Sequence, residues 1–256
     1  MYDNDLVSVI IPCLNSGRFL QKTLESVFRQ THQSFEIILI DNDSKDNTRE
    51  IIESARSKDP RVIPILLDSV RRAGPSRNLG IERAKGRYLA FLDSDDQWDD
   101  HKLEQQIKLM TATSTPFTFT GYKVIDETEG PICDILDMPR HLTYDDFLKN
   151  TCIATSSVMI DRTVVTDFRF EDRPISEDYP SWLKVLKQGH TAAGLSGAFL
   201  RYRVVQASLS SKKAKAAGLI WQIYRKEEGL SLLRSSYCFF QYARRAFFKN
   251  LKMNRL

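Results

Sequence analysis

The sequence has only four cysteines, Cys13, Cys133, Cys152 and Cys238, and no two form a C-x-x-C pair. That excludes a zinc ribbon or a disulfide framework and suits a reducing compartment. The four histidines, His32, His101, His141 and His190, share no metal-ligand spacing and read as surface or structural groups. No apolar run reaches the roughly 18 residues that span a bilayer. The opening stretch MYDNDLVSVIIPCLN shows neither a basic n-region nor a cleavage site, so no secretory signal is expected. The expected address is the cytoplasm, or peripherally the inner face of the cytoplasmic membrane. Internal repeats and low-complexity stretches are also missing.

What is present is an ordinary globular composition. The chain has 256 residues, 42% hydrophobic and 27% charged, enough to bury a substantial core in one large domain with a C-terminal extension. The net charge of +4 is uneven. Lys212, Lys213, Lys215, Arg225, Lys226, Arg234, Arg244, Arg245, Lys249, Lys252 and Arg255 follow Ser211, opposed only by Glu227 and Glu228. A basic tail on a mildly acidic body points to a polyanionic surface. Nothing matches a recognised nucleic-acid module, so no nucleic-acid partner is expected.

Short apolar, β-branched runs alternate with helical spacing through the first hundred residues. Strands are expected at 7–11 (VSVII, stopped by Pro12), 35–40 (FEIILI), 62–67 and 88–92 (YLAFL). Helices are expected at 17–30, 48–56 and 75–85. This alternation predicts an α/β fold with a mostly parallel sheet flanked by helices, with ligands at the carboxyl edge of the strands. Beyond Trp98 the pattern loosens. Helices are expected at 102–110 and 180–188, strands at 117–124 and 156–160, and a polar loop at 202–217. Residues 219–251 read as helical, with Phe240, Ala243, Phe247 and Leu251 on one face and Arg244, Arg245, Lys249 and Lys252 on the other.

The acidic run Asp93, Ser94, Asp95, Asp96 follows the fourth expected strand. Clustered carboxylates repel one another, and a hard divalent cation shared with substrate phosphates would relieve this. A solvated turn or helix cap would use the same residue types.

The segments VSVIIPCLNSGRFLQKTLESVFRQTHQSFEIILIDNDSKDNT and GPSRNLGIERAKGRYLAFLDSDDQW resemble inverting family-2 glycosyltransferases of the GT-A fold, of the bacterial surface-polysaccharide type. The resemblance spans about residues 6–110, then returns more weakly around 176–189 and 202–210. It implies a Rossmann-like GT-A catalytic domain over 1–210, with a nucleotide-binding half to about 100 and an acceptor half beyond. Residues 211–256 then form a basic amphipathic helical tail. It further implies a nucleotide-sugar donor, in particular a UDP-sugar, and a glycan or lipid-linked acceptor. Pro12 to Asn15 would border the nucleotide, Asp41 accept from the base and Arg77 lie near base or phosphates. Asp93 would meet ribose or metal beside Ser94, and Asp95 would ligate Mn²⁺ or Mg²⁺. A turn Asp and a helix-surface Arg are the plainer accounts of Asp41 and Arg77.

The motif Ser176–Glu177–Asp178–Tyr179 resembles the family's E-D pair, whose Asp takes the acceptor hydroxyl's proton. Acids also favour a helix N-terminus, which Ser176 could cap. Two positions depart from the family pattern. Val205 replaces a His in a segment of the type Y-R-x-H-x-x-S-x-S, and valine can neither ligate metal nor donate to phosphate; Arg203, Ser208, Lys212 or Lys213 would have to compensate. Asn42–Asp43 replaces Asp–Gly, which costs backbone freedom at 43. Trp98 would line the acceptor side or sit in the core. The tail has three readings: packing on the catalytic domain, peripheral contact with an anionic membrane, or a homodimer contact. Two other functions compete. A nucleotidyltransferase making activated sugars would need a Gly-rich basic loop, which PCLNSG followed by Arg18 does not supply. A non-catalytic nucleotide-sugar-binding protein is favoured only by Val205.

Overall fold

The structure, a computed structural model, describes residues 3–150, 152–173, 177–204 and 213–253. Among them nine strands join one sheet. They are β1 (Asp3–Cys13), β2 (Phe35–Asn42), β3 (Val62–Leu67), β4 (Gly86–Phe91), β5 (Gln97–Trp98), β6 (Phe117–Ile125), β7 (Pro131–Ile135), β8 (Met159–Asp161) and β9 (Ala192–Arg203). Their order is β3-β2-β1-β4-β8-β6-β9-β5, with β7 paired to β6. The nucleotide half β3-β2-β1-β4 is wholly parallel, and β6 pairs parallel to β9. Short antiparallel ladders of β8 join the two halves.

Strands β1, β2 and β4 are buried on both faces, which is why they read as near-continuous apolar runs, while the edge strand β3 is only half-buried. Alternate residues serve opposite faces. Ile10, Ile38 and Ile40 enter one core with Ile81, Phe91 and Trp182. Val9, Ile11, Ile37 and Leu39 enter the other with Leu20, Leu24, Val27 and Ile52. The first core continues into the C-terminal helices through Ile220, Ile223, Tyr224, Leu230 and Cys238.

Helices α1 (Leu20–Phe28), α2 (Thr48–Lys58), α3 (Ala73–Arg83) and α4 (Lys102–Thr113) fall where the spacing predicts, within a few residues at each end. After them come α5 (Tyr144–Phe147), α6 (Asp178–Lys187), α7 (Lys213–Gln222) and α8 (Leu232–Met253). Helix α3 turns Ser76, Arg77, Gly80 and Ile81 inward, so Arg77 belongs to its buried face. Gly80 lets the helix approach the sheet: a Cβ there would lie 2.6 Å from a methyl carbon of Ile10.

Four expectations need correction. Pro12 lies inside β1, paired with Ile40, and does not stop the strand. Its nitrogen faces β4, whose ladder has already closed with the Leu92 N–H on the Ile10 carbonyl, so no bond is lost. The segment 156–160 is a 3-10 turn, Thr155–Ser157, before the short β8. The expected loop at 202–217 begins inside β9 and ends inside α7; residues 205–212, with Val205, Ser208 and Lys212, lie outside the described residues, as does Ser176. The helical stretch 219–251 is broken by a π-helical turn, Ile223–Glu227, and by Gly229 at φ +63°.

Candidate active site

Strand ends β1, β2 and β4 open onto one edge, and the turns that follow are sewn together. The Asn15 N–H donates to Ser44 Oγ at 2.9 Å, and the Asn15 side-chain oxygen accepts the Lys45 N–H at 2.8 Å. Ser16 Oγ meets Ser94 Oγ at 2.7 Å. Asn15 and Asp43 both take left-handed backbone, φ +49° and +61°. Asn and Asp tolerate that region better than most residues, so the missing glycine at 43 does not prevent the turn. Pro12, Cys13, Leu14, Asn42, Ser94 and Asp95 border a cavity of about 290 Å³ at this edge, closed on one side by Arg77 and Asp93. Asn15 holds the turn from outside that cavity.

Asp41, at the end of β2, is completely buried. Its Oδ2 accepts from Arg49 Nε at 2.6 Å, while Oδ1 has no hydrogen-bond partner. That oxygen is sealed from solvent, and Asp41 is not among the residues that border the cavity. Arg49 had no signal in the sequence beyond a cation on the next helix.

The acid turn is held from several sides. The Asp93 N–H donates to Ser156 Oγ at 3.0 Å. Thr23 Oγ1 lies 2.9 Å from the Ser94 carbonyl and 2.8 Å from that of Asp96. Asp96 is buried and accepts the Arg203 N–H at 2.8 Å, and Arg203 Nε donates to the Asp95 carbonyl at 2.8 Å. Arg203 thus braces the turn through its backbone. Burial, then repulsion from Asp93, pushes the Asp95 carboxyl up to about 6. Burial, then the neighbouring acids, also push the Asp96 carboxyl well above the usual range. A half-buried carboxylate strained this way is suited to receive a cation. Among the described residues no three His, Cys, Asp or Glu side chains are grouped to hold a metal. Two carboxylates, Asp93 and Asp95, fit an ion such as Mg²⁺, which takes one or two carboxylates and completes its shell with phosphates and water.

Arg77 ties this turn to the second acidic motif. Its guanidinium donates to Asp93 Oδ1 at 2.5 Å and to Glu177 Oε1 at 2.8 Å, and lies 5.1 Å from the Phe170 ring centre. Arg77 is 4% exposed. Asp178, the first residue of α6, accepts the Tyr179 N–H at 2.8 Å on Oδ1, and Thr155 Oγ1 lies 3.3 Å from its Oδ2. Loss of water, then the Glu177 charge, raises its pKa; Arg77, Tyr179 and Thr155 oppose this. The two motifs, far apart in the chain, share a second cavity of about 480 Å³ walled by Arg77, Asp93, Asp178 and Tyr202 on one side and by Tyr242 and Ala246 of α8 on the other. Burial, then Asp178, lifts the Tyr242 phenol to about 12.

Other residues lie elsewhere. Trp98 is core, 2% exposed, with its Nε1 donating to the Ser156 carbonyl at 2.7 Å. His32 meets the Asp5 and Ser34 carbonyls at the surface. Helix α8 packs on the body through Ser235, Cys238, Phe239 and Tyr242, while Phe240, Ala243, Phe247 and Leu251 are exposed. The face grouped from spacing, Phe240, Ala243, Phe247 and Leu251, is therefore the outward one, and Arg244 lies among those residues instead of opposite them.

The chain is a glycosyltransferase of the GT-A fold. Residues 8–156 match the model of glycosyl transferase family 2, and the chain belongs to that family. It is 41% identical over 246 residues to TuaG of Bacillus subtilis, a glycosyltransferase named for teichuronic acid biosynthesis, covering 96% of this chain and 98% of that protein. It is 35% identical over 225 residues, 86% of each chain, to WfgD of Escherichia coli, a UDP-Glc:alpha-D-GlcNAc-diphosphoundecaprenol beta-1,3-glucosyltransferase. The fold is that of S. aureus TarS, solved in complex with UDP-GlcNAc, at TM-score 0.69 and 18% identity over 94% of this chain and 72% of that one. Family membership sets aside the nucleotidyltransferase and the non-catalytic binding protein.

Proposed function

We propose that this glycosyltransferase moves a sugar, with inversion, from a UDP-sugar to a hydroxyl of a glycan or lipid-linked glycan, in the cytoplasm or at the inner face of the cytoplasmic membrane. The observation that carries the reading is the Arg77 bridge, which sets Asp93 of the acid turn and the Glu177–Asp178 pair around one cavity. Residues 1–210 form the catalytic domain in this reading, and 211–256 the extension that closes its acceptor side.

The nucleotide occupies the cavity beside Pro12; Asp41 is wholly buried and does not line that cavity, so its partnerless Oδ1 would meet an N–H of uracil only once the end of β2 shifts. Asp95, with Asp93, would hold Mn²⁺ or Mg²⁺, which would supply positive charge against a departing diphosphate. Ser94 and Arg77 line the same cavity on the phosphate side. Asp178 accepts the proton of the attacking hydroxyl. A carboxylate with a raised pKa is a better base than a solvated one, provided it is ionised at the working pH. Tyr202 and Tyr242 supply aromatic walls suited to sugar faces. The distant similarity to a UDP-sugar-binding structure and the closer one to a UDP-Glc-dependent relative support the donor class.

The test is Asp178→Asn, assayed for transfer and for binding of UDP with Mn²⁺ by calorimetry. The expected result is lost transfer with binding kept. Transfer at the wild-type rate would sink the base assignment.

A further inference from the structure

Helix α8 has two working faces. Ser235, Cys238, Tyr242 and Ala246 recur every three or four residues and face the body; Tyr242 and Ala246 reach the acceptor cavity. On the opposite side Leu233, Tyr237, Phe240, Phe247, Phe248 and Leu251 form a stripe, with Leu233 85% and Phe240 63% exposed. Exposed Arg244 lies within that stripe and exposed Arg245 beside it. A row of six large apolar side chains left in water is costly unless something covers it. Among the described residues no helix is long and apolar enough to cross a membrane.

We infer that the outward face of α8 seats on an anionic lipid bilayer, so that the helix forming one wall of the acceptor cavity is itself the membrane contact. An amphipathic helix with aromatics on one face and cations around it lies in the interface, its rings at the acyl boundary and its arginines on headgroup phosphates. Charge decides between a bilayer and a second copy of the chain. A two-fold pairing centred on this stripe would bring Arg244 and Arg245 close to their own copies, and like charges across an interface are unfavourable. An anionic surface meets the same arginines with opposite charge. The helix is also anchored to the body, so the contact fixes the whole domain. Arg234 pairs with Asp145 at 2.5 Å, and Lys187 pairs with Glu228 at 2.8 Å just before it. An acceptor carried by lipid would then be taken up beside the surface that holds it. That last clause rests on the transfer reading above; the contact itself does not.

The experiment is sedimentation of the full chain with phosphatidylcholine vesicles, with and without phosphatidylglycerol, in the absence of donor and acceptor. The wild type is expected in the pellet with the anionic vesicles only, and to be released as salt rises. F247E/F248E and, separately, R244E/R245E are expected to fall to about a tenth of wild-type recovery, with unchanged circular dichroism and UDP binding. Should a double variant misfold, Arg244→Ala in a salt series reads the same contact. Wild type remaining in the supernatant, or both double variants sedimenting like wild type, overturns the inference. So does a wild-type dimer that F247E/F248E converts to monomer, which would assign the stripe to a second copy. Vesicle binding without any UDP binding would leave the inference standing and remove the UDP-donor reading.

Discussion

Arg77 and Asp93 meet at 2.5 Å across the wall that separates the two cavities of the sheet edge. The guanidinium is almost without water, and its other arm rests on Glu177. One buried cation therefore serves an acid from each motif.

Removing that cation should be severe. Arg77→Ala leaves two partly buried carboxylates facing one another and is expected to cost about 3–5 kcal/mol, as breaking buried ion pairs does. Denaturant unfolding measures it. Arg77→Lys keeps the charge but cannot reach both acids as a fork. It should retain most of the stability while transfer falls by at least about tenfold.

Metal binding should depend on pH in a direction set by Asp95. Its folded pKa of about 6 lies above the ordinary carboxylate value, so the folded protein holds the proton more tightly. Stability from that proton is present at low pH and lost as pH rises through about 6. A cation at Asp95 replaces it. Mn²⁺ should thus raise the melting temperature more at about pH 7.5 than at about pH 5, where it must displace a proton. Asp95→Asn should abolish the difference; an equal metal effect at both pH values would contradict the assignment.

Transfer should fail on the acid side at a higher pH than an ordinary Asp would allow, because Asp178 must be ionised to act and its pKa is raised. Thr155 opposes that rise. Thr155→Val should therefore move the acid limb of kcat/KM upward, with Thr155→Ser restoring it. An unmoved limb in Thr155→Val, with donor binding intact, would separate the hydroxyl from the base.

Gly80→Ala tests the seating of α3. The added methyl would come within 2.6 Å of Ile10 and 3.0 Å of Ile40. The helix must lift, at a cost of roughly 1–3 kcal/mol, and Arg77, one turn earlier, moves with it. Both melting temperature and transfer should fall, whereas Ala84→Gly at the helix end should lower stability alone.

The nucleotide half was legible because its strands are apolar on both faces and its helices keep one inward stripe. Asp93, Asp95 and Asp178 stood out as acids in motif contexts. Arg77 stood out only as part of GPSRN; that it faces inward follows from Gly80 and Ile81, which share its stripe. Its contact with Glu177 spans one hundred residues and leaves no local pattern. The same holds for Arg49 on Asp41 and for Arg203 behind Asp95. The tail stayed open for a different reason. Phe239 and Tyr242 face the body while Phe240 and Phe247 do not, and periodicity fixes a stripe without saying which stripe is covered.

The double grip of Arg77 also limits how the two ends of the reaction can diverge. Replacing Asp93 alone, or Glu177 alone, leaves the guanidinium one counter-charge; replacing both strands a cation in the interior. The penalties should therefore exceed their sum in the pair. Retargeting the donor side and retargeting the acceptor side are not independent moves in this protein: each alters the electrostatic allowance of the other.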